Sequence, residues 1–262
     1  MKKQISITLA LIAALLQSAC GDIGDNPAFG DGGSTSGTTA ATHIASRTNF
    51  KIEFSEWALD AIDANTGSTE ETSTEIIVSV GDNEGVPIEG QVVQIRKEWG
   101  TLSASACVTD STGECSVTWT TSDFQLAPDT NCVSVVAYTT GEEAYVETNI
   151  NDNTLDPIDA ASTRGNTAPY SLGFWDMGEP YLDHNYDGFY NAADGDINID
   201  INGNYINDPA DTLFNGANCT ATDNQCTSTA TTTTIWDANH IDLRDEGKIL
   251  PVATPPADNV CQ

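Results

Sequence analysis

The sequence predicts an all-β protein, with a β-sandwich followed by a small β-rich and loop-rich segment. Short stretches of alternating residues recur from Asn49 onward, as in EIIVSV, where Ile76, Val78 and Val80 share one face. Turn sequences such as GDNEGVPIEG and TDSTGE separate these stretches, and no sustained helical pattern interrupts them. Roughly seven such strands in about 100 residues favour a sandwich.

The predicted strands follow one another in chain order. They are FKIEF, EIIVSV, QVVQI, CSVTWT with Val117 and Trp119 on one face, CVSVVAY and AYVETNI. A further strand is predicted near the C-terminus, where TSTATTTTIWDANHIDL is rich in β-branched residues.

The N-terminus has the plan of a bacterial export signal. MKKQISITLALIAALLQSAC contains two lysines, an apolar run from Ile5 to Leu16 and small residues before Cys20. The run is too short to span a membrane comfortably. Its end resembles a lipoprotein signal, which implies that residues 1–19 are removed and that Cys20 is lipidated and anchors the chain at the outer membrane or cell surface. The alternative is a secreted protein with a free Cys20.

The charge balance excludes one class of partner. The net charge is −30, and so negative a surface repels phosphate backbones, so we expect no nucleic acid partner. The same acidity favours solubility and cation binding.

Seven cysteines become six when Cys20 is set aside, and six can form three disulfides in an oxidising compartment. CVTDSTGEC and CTATDNQC each place two cysteines across a turn. We therefore predict one pair within each motif and a third pair by elimination: Cys107 with Cys115, Cys219 with Cys226, and Cys132 with Cys261.

Residues 20–47 are rich in Gly, Ser and Thr and are predicted to be a flexible tether. Beyond it, residues 48–152 resemble the bacterial immunoglobulin-like (Ig-like) domains of invasin and intimin type surface proteins. The shared motifs, in order, are VSVGDNEGVPIEGQVVQI, GTLS, VTDSTGECSVTWTT and VVAYTTGEEAYVETNI. The resemblance implies an Ig-like sandwich that acts as a surface rod or adhesive module.

The acidic segment, residues 153–262, contains DHNYDGFYNAAD, which matches the calcium-loop pattern D-x-[DN]-x-[DN]-G with a carboxylate at position 12. Calcium takes six to eight oxygen ligands, which this spacing brings together. The predicted ligands of this first loop, loop 1 (residues 183–194), are Asp183, Asn185, Asp187, the Phe189 carbonyl, Asn191 and Asp194.

Loop 2 (residues 200–211) repeats the pattern 17 residues later, with Tyr205 in place of glycine at position 6. The same offset superposes Glu179 on Asp196. No Lys or Arg lies between Arg164 and Arg244. We therefore predict Ca²⁺ as the cofactor of both loops; the alternative is a pair of solvated acidic turns. The predicted ligands of loop 2 are Asp200, Asn202, Asn204, Asp208 and Asp211.

The two loops resemble those of dockerins, but a dockerin loop leads into a helix, and only residues 195–199 separate these loops. GDINIDI alternates instead, which predicts a short strand with Ile197, Ile199 and Ile201 on one face and an acidic face opposite. GEPYLDHNYDGFYN is closer to the GEPF-D-x-N-x-N-G repeats that accompany Ig-like domains in large bacterial surface proteins.

No catalytic motif of the G-x-S-x-G, H-E-x-x-H, P-loop or G-x-G-x-x-G type occurs, so we predict no enzyme. The prediction is a calcium-stabilised surface lipoprotein with a structural or adhesive role and an unknown protein or glycan ligand. The alternative is a carbohydrate-binding module, or an accessory domain of a polysaccharide-degrading system that includes dockerin-like partner binding. Five tryptophans are candidates for stacking on sugars: Trp57, Trp99, Trp119, Trp175 and Trp236.

Overall fold

The structure is a computed structural model that describes residues 43–62, 71–121, 132–146, 172, 174–217, 219, 226 and 232–245. The chain divides into Met1–Thr39 and Ala40–Gln262, and every described residue belongs to the second part. Helix in the described residues is confined to two short 3-10 turns, Arg47–Asn49 and Ala192–Asp194. The predicted all-β class is confirmed.

Most strands form two sheets. One has four strands in the order β1-β3-β7-β5, and the other has five in the order β2-β13-β8-β4-β6. The remaining strands pair in two small ladders, β9 with β10 and β11 with β12. The bounds are β1 Phe50–Phe54, β2 Ala58–Ile62, β3 Ser73–Val80, β4 Val92–Lys97, β5 Thr101–Leu102, β6 Ala106–Val108, β7 Glu114–Thr120, β8 Cys132–Gly141, β9 Ala144–Tyr145, β10 Phe174–Trp175, β11 Tyr181–Leu182, β12 Ile197–Asn198 and β13 Thr233–Asp245.

The core forms where the apolar faces of the two sheets meet. Ile76 and Val78 of β3 are fully buried, and so is Trp119 of β7. They pack in one cluster with Ile95 of β4 and Val135 of β8, which belong to the other sheet. Alternation along β3 and β7 therefore predicts correctly which of their side chains face the core.

A glycine permits a close contact in this core. Gly100, in the GTLS motif, has φ +83°, and a Cβ at this position would lie 2.4 Å from the indole of Trp119. The Trp119 indole nitrogen also donates to the carbonyl of Trp99 at 2.8 Å. The GTLS turn thus makes room for Trp119, the largest fully buried side chain among the described residues.

The long C-terminal strand β13 lies inside the five-stranded sheet, parallel to β2 on one side and antiparallel to β8 on the other. Its pairing with β8 runs from Thr233 opposite Gly141 to Asp242 opposite Cys132. The sequence predicts this strand but groups it with the acidic segment. In the structure it contributes Ile235 and Ile241 to the sandwich core.

Polar side chains of β13 also bond the other sheet. Asp237 accepts a hydrogen bond from the Ile52 amide at 3.1 Å, and the Asn239 amide donates to the Ile52 carbonyl at 3.3 Å. Arg47 donates to Asp237 at 2.8 Å and lies 4.2 Å from the ring of Trp175. These bonds occupy the backbone of an edge strand that would otherwise be open to pairing.

The structure contains the disulfides Cys107–Cys115 and Cys219–Cys226, the two pairs that the turn motifs predict. Cys132 is also disulfide-bonded. Cys261 lies outside the described residues, as do Cys20, the signal sequence and residues 20–42 of the predicted tether. Residues 43–47, the end of that predicted tether, are described and are part of the fold: Ala45 packs in the sandwich core, and Arg47 bonds Asp237 of β13.

No described residue lies in a helix with the length and apolar character that a membrane crossing requires.

Candidate functional site

The internal repeat of the acidic segment is present in the backbone. Three positions with left-handed φ recur at the 17-residue offset: Tyr186 and Gly203 (61° and 79°), Gly188 and Tyr205 (78° and 67°), and Gly195 and Thr212 (100° and 69°). Glycine and tyrosine thus exchange places between positions 4 and 6. Loop 2 makes the turn that glycine makes in loop 1, although its residue 6 is Tyr205.

The first aspartate of each loop accepts backbone hydrogen bonds from the turn that follows it. Asp183 accepts from the amides of Tyr186 at 2.7 Å and Gly188 at 2.9 Å. Asp200 accepts from Gly203 at 2.7 Å and Tyr205 at 2.8 Å. These bonds, the one from Tyr205 most strongly, hold the pKa of Asp200 below its usual value.

Positions 3 and 5 also behave alike in the two loops. At position 3, Asn185 accepts from the amide two residues later at 3.3 Å, and Asn202 does the same at 3.0 Å. At position 5, Asp187 and Asn204 each accept from the amide two residues later at 2.9 Å. The side chains at positions 1, 3 and 5 therefore share one layout.

The loops differ at positions 9 and 12. In loop 1 the side-chain amide of Asn191, at position 9, donates to Asp194, at position 12, at 2.7 Å. In loop 2 the side-chain amides of Asn202 and Asn204 both donate to Asp208, at position 9, at 2.5 and 2.8 Å.

The predicted ligand at position 12 of loop 2 faces elsewhere. Asp211 accepts from the Leu213 amide and the Asn215 side chain, both beyond loop 2. Across the described residues, no three or more His, Cys, Asp or Glu side chains are grouped closely enough to hold a metal ion.

Two carboxylates outside the predicted ligand set tie each loop to the other repeat. Asp196 accepts from the amides at positions 2 and 9 of loop 1, His184 at 2.8 Å and Asn191 at 2.7 Å. Glu179 accepts from the same positions of loop 2, Ile201 at 2.9 Å and Asp208 at 3.3 Å.

Each carboxylate thus belongs to one repeat and bonds the loop of the other. Glu179 stands just before loop 1 in the sequence but accepts hydrogen bonds from loop 2. Asp196 stands just before loop 2 but accepts hydrogen bonds from loop 1. Between them, β11 and β12 pair antiparallel, with Tyr181 opposite Asn198. The sequence repeat superposes Glu179 on Asp196. That each carboxylate accepts hydrogen bonds from the loop of the other repeat is visible only in the folded structure.

The predicted strand around residues 196–201 is shorter than expected. It consists of Ile197–Asn198, and both Ile197 and Ile201 are exposed. Asp196, on the predicted acidic face, is only 7% exposed. Its carboxylate is buried because it accepts hydrogen bonds from the backbone amides of His184 and Asn191.

Loop 1 lies against the sandwich. The Asp183 amide donates to the Ser134 hydroxyl at 3.1 Å, and His184 bonds the Glu98 carboxylate at 2.5 Å. The Tyr186 ring meets the His240 ring edge-on, with 5.1 Å between centroids. Burial lowers the pKa of His240 against the opposing effect of nearby Asp242 and Asp183.

Loop 2, by contrast, is exposed. Tyr205 is 92% exposed, and Ile206 is also open to solvent. A cleft of about 290 Å³ lies beside it, with Glu179, Asp208 and Thr233 among its lining residues.

A buried carboxylate joins three parts of the chain beneath this cleft. Glu143, which follows β8, accepts from the amides of Met177 and Asn215, both at 2.8 Å. Burial raises the pKa of Glu143 to about 8, and the charges of Asp176 and Asp211 add to the effect. Sequence reasoning did not single out Glu143, because burial of an acidic residue between non-adjacent segments leaves no local signal.

Four of the five tryptophans serve the fold. Trp119 and Trp99 are in the core, Trp175 lies beneath an arginine, and Trp236 packs against Tyr181 and donates to a backbone carbonyl at 2.9 Å.

No protein-family model and no curated protein matches the chain. Three solved structures are similar to part of it. The D0-D1 domain of intimin is 24% identical, with 35% of this chain and 41% of that chain covered and a TM-score of 0.24. The D00-D0 domain of intimin is 20% identical, with 40% and 44% covered and a TM-score of 0.27.

The third is a C-terminal 282-residue fragment of intimin in complex with the intimin-binding domain of the translocated intimin receptor. It is 23% identical, with 33% of this chain and 26% of that chain covered and a TM-score of 0.25. The chain thus spans less than half of each of these structures. The similarity is weak and partial, so the all-β assignment depends on the strands themselves.

Proposed function

We propose that this protein is an exported, non-enzymatic cell-surface module, lipid-anchored through Cys20, whose acidic segment is held in shape by calcium. In this proposal the Ig-like sandwich has a structural or adhesive role and presents the acidic segment away from the membrane. Its ligand is a protein or glycan at the cell surface.

The observation that carries the calcium part is the pair of loops with matching side-chain layout. Positions 1, 3 and 5 in each loop are occupied by carboxylate or amide oxygens in the same hydrogen-bond pattern. Hard cations such as Ca²⁺ prefer oxygen ligands of this kind. The residues that would hold the ion are those predicted from the two loop patterns, with Asp194 at position 12 of loop 1. Asp211, at position 12 of loop 2, would have to leave the Leu213 amide and the Asn215 side chain to join its set.

Charge supports the same proposal. The stretch between Arg164 and Arg244 contains no basic residue other than histidine. Arg47 and Arg244 pair with Asp237 and Asp242 near its C-terminal end, but loops 1 and 2 contain no Lys or Arg, so their carboxylates repel one another. A bound divalent cation removes this repulsion, and its binding free energy then contributes to folding of the segment. Extracellular calcium modules bind with dissociation constants of roughly 0.1 to 1 mM.

Calorimetric titration of the full chain with CaCl₂ tests the proposal. The wild type should release or absorb binding heat, and Asp183→Asn should lose the contribution of loop 1, because position 1 is an aspartate in both loops. Glu89→Gln is the matched control, because it removes one exposed negative charge from the sandwich. Equal titration curves for the two variants would refute a specific site in loop 1, and the absence of any heat would refute calcium binding.

A further inference from the structure

Trp57 differs from the other tryptophans because it is 56% exposed. It lies between β1 and β2, and β2 is an edge strand of the five-stranded sheet. Its carbonyl accepts a hydrogen bond from the Asp242 amide at 2.7 Å, which joins it to β13. The exposed indole is therefore fixed to the sheet at its backbone. Tryptophan is enriched at interfaces because its large ring is apolar and its N–H is a hydrogen-bond donor.

Arg244 of β13 lies over one face of this ring. Its guanidinium carbon lies 5.0 Å from the centre of the Trp57 ring, and its Nε donates to Asp242 at 2.8 Å. Within the described part of the chain, neither terminal nitrogen of Arg244 has a hydrogen-bond partner. These nitrogens remain available as donors beside the indole.

Acceptors lie next to the same donors. The Asp242 carboxylate bonds Arg244 through one oxygen, and its side chain is 14% exposed. Asp60 of β2 is opposite Arg244 in the strand register and is exposed. The site thus combines the ring face that Arg244 does not cover, as an apolar plate, with N–H donors and carboxylate acceptors close to the ring.

This combination matches the chemistry of a pyranose ring. A sugar ring has an apolar C–H face, which packs on an aromatic plate, and hydroxyls at its rim, each of which donates and accepts. A net charge of −30 and the neighbouring carboxylates disfavour an anionic polymer. We propose that Trp57, Arg244 and Asp242 bind one pyranose ring of a neutral polysaccharide. This proposal does not depend on calcium binding by the acidic loops.

Affinity gel electrophoresis of the full chain tests it, with galactomannan, xyloglucan or mixed-linkage β-glucan cast in the gel and calcium present throughout. The wild type should be retarded in at least one of these gels relative to a gel without polysaccharide. Trp57→Ala should weaken retardation about tenfold or more, because stacking and apolar burial together contribute about 1.4 kcal/mol or more. Arg244→Gln should weaken it as well, whereas Trp57→Phe should retain part of it.

Tyr205→Ala is the control, since it removes an even more exposed aromatic ring that lies outside the site. It should leave retardation unchanged. Acrylamide quenching of tryptophan fluorescence provides a second readout: the bound polysaccharide should reduce quenching of the wild type and not of Trp57→Phe. No retardation in any neutral gel, retardation only in an alginate gel, or equal retardation of wild type and Trp57→Ala would each overturn the proposal.

Discussion

Removal of the Asp196 carboxylate should open loop 1 and leave loop 2 intact. Asp196 is 7% exposed and is the acceptor for the amides of His184 and Asn191. Hydrogen bonds to a charged group contribute about 1.5 to 3 kcal/mol each. Asp196→Ala should therefore destabilise loop 1 locally by about 3 kcal/mol, which corresponds to roughly 100-fold faster exchange of those two amides.

Glu179→Ala is the reciprocal variant, since Glu179 holds the equivalent amides of Ile201 and Asp208. It should increase exchange in loop 2 by a smaller factor, about tenfold, because Glu179 is partly exposed. Asp196→Asn, which keeps one acceptor oxygen, should give an intermediate result in loop 1.

Hydrogen exchange followed by NMR distinguishes the four amides. The expected result is a crossed pattern, with each variant affecting only the loop that its carboxylate holds. If both variants speed hydrogen exchange equally in both loops, or if neither variant changes it, Asp196 and Glu179 do not each hold one loop and the reasoning is wrong.

Three further predictions follow from single residues. Because burial raises the pKa of Glu143 to about 8, its protonated form is the one that the folded state favours. Its contribution to stability should be complete below about pH 4.5 and should be lost as the pH rises through 8. Urea unfolding should show this decline in the wild type but not in Glu143→Gln. Gly100→Ala should lower the free energy of unfolding by about 3 kcal/mol, because its Cβ meets the Trp119 ring. Gly90→Ala is the control: Gly90 also has a left-handed φ, +80°, but nothing lies within 4 Å of its Cβ, so the loss should be about 1 kcal/mol. Equal losses in thermal denaturation would contradict this packing argument. Metabolic labelling with a fatty-acid probe should tag the wild type and not Cys20→Ala, and equal labelling of both would refute lipidation.

Local pattern was sufficient for the strands of the sandwich. Alternation identifies Ile76 and Val78 as core residues, because a strand with one buried face must alternate. The turn motifs likewise identify the cysteine pairs, since each pair is close in sequence.

Non-local pairing was beyond the same reasoning. The alternation of β13 indicates a strand, but nothing in its residues specifies β8 and β2 as its neighbours. Polar Asp237 and Asn239 also interrupt its apolar face, and the reason is visible only when the Ile52 backbone lies opposite them.

The candidate site divides in the same way. Loop spacing identifies the side chains at positions 1, 3 and 5, whose hydrogen bonds are local. The supports from Asp196 and Glu179 depend on the pairing of β11 with β12, and the buried position of Glu143 depends on three separate segments. Alternation places Asp196 on an acidic face but does not predict its burial, which depends on the His184 and Asn191 amides that its carboxylate accepts from.

Limited proteolysis of the full chain tests the central claim most directly. The protein is digested in about 1 mM CaCl₂ and in excess chelator, with MgCl₂ as a second cation, and the cut sites are mapped by mass spectrometry. The account predicts that chelator exposes cut sites within residues 176–211, that calcium protects them, that magnesium protects them poorly, and that the sandwich resists cleavage in every condition. Identical cleavage of residues 176–211 with calcium and with chelator would contradict calcium as the element that holds the acidic segment.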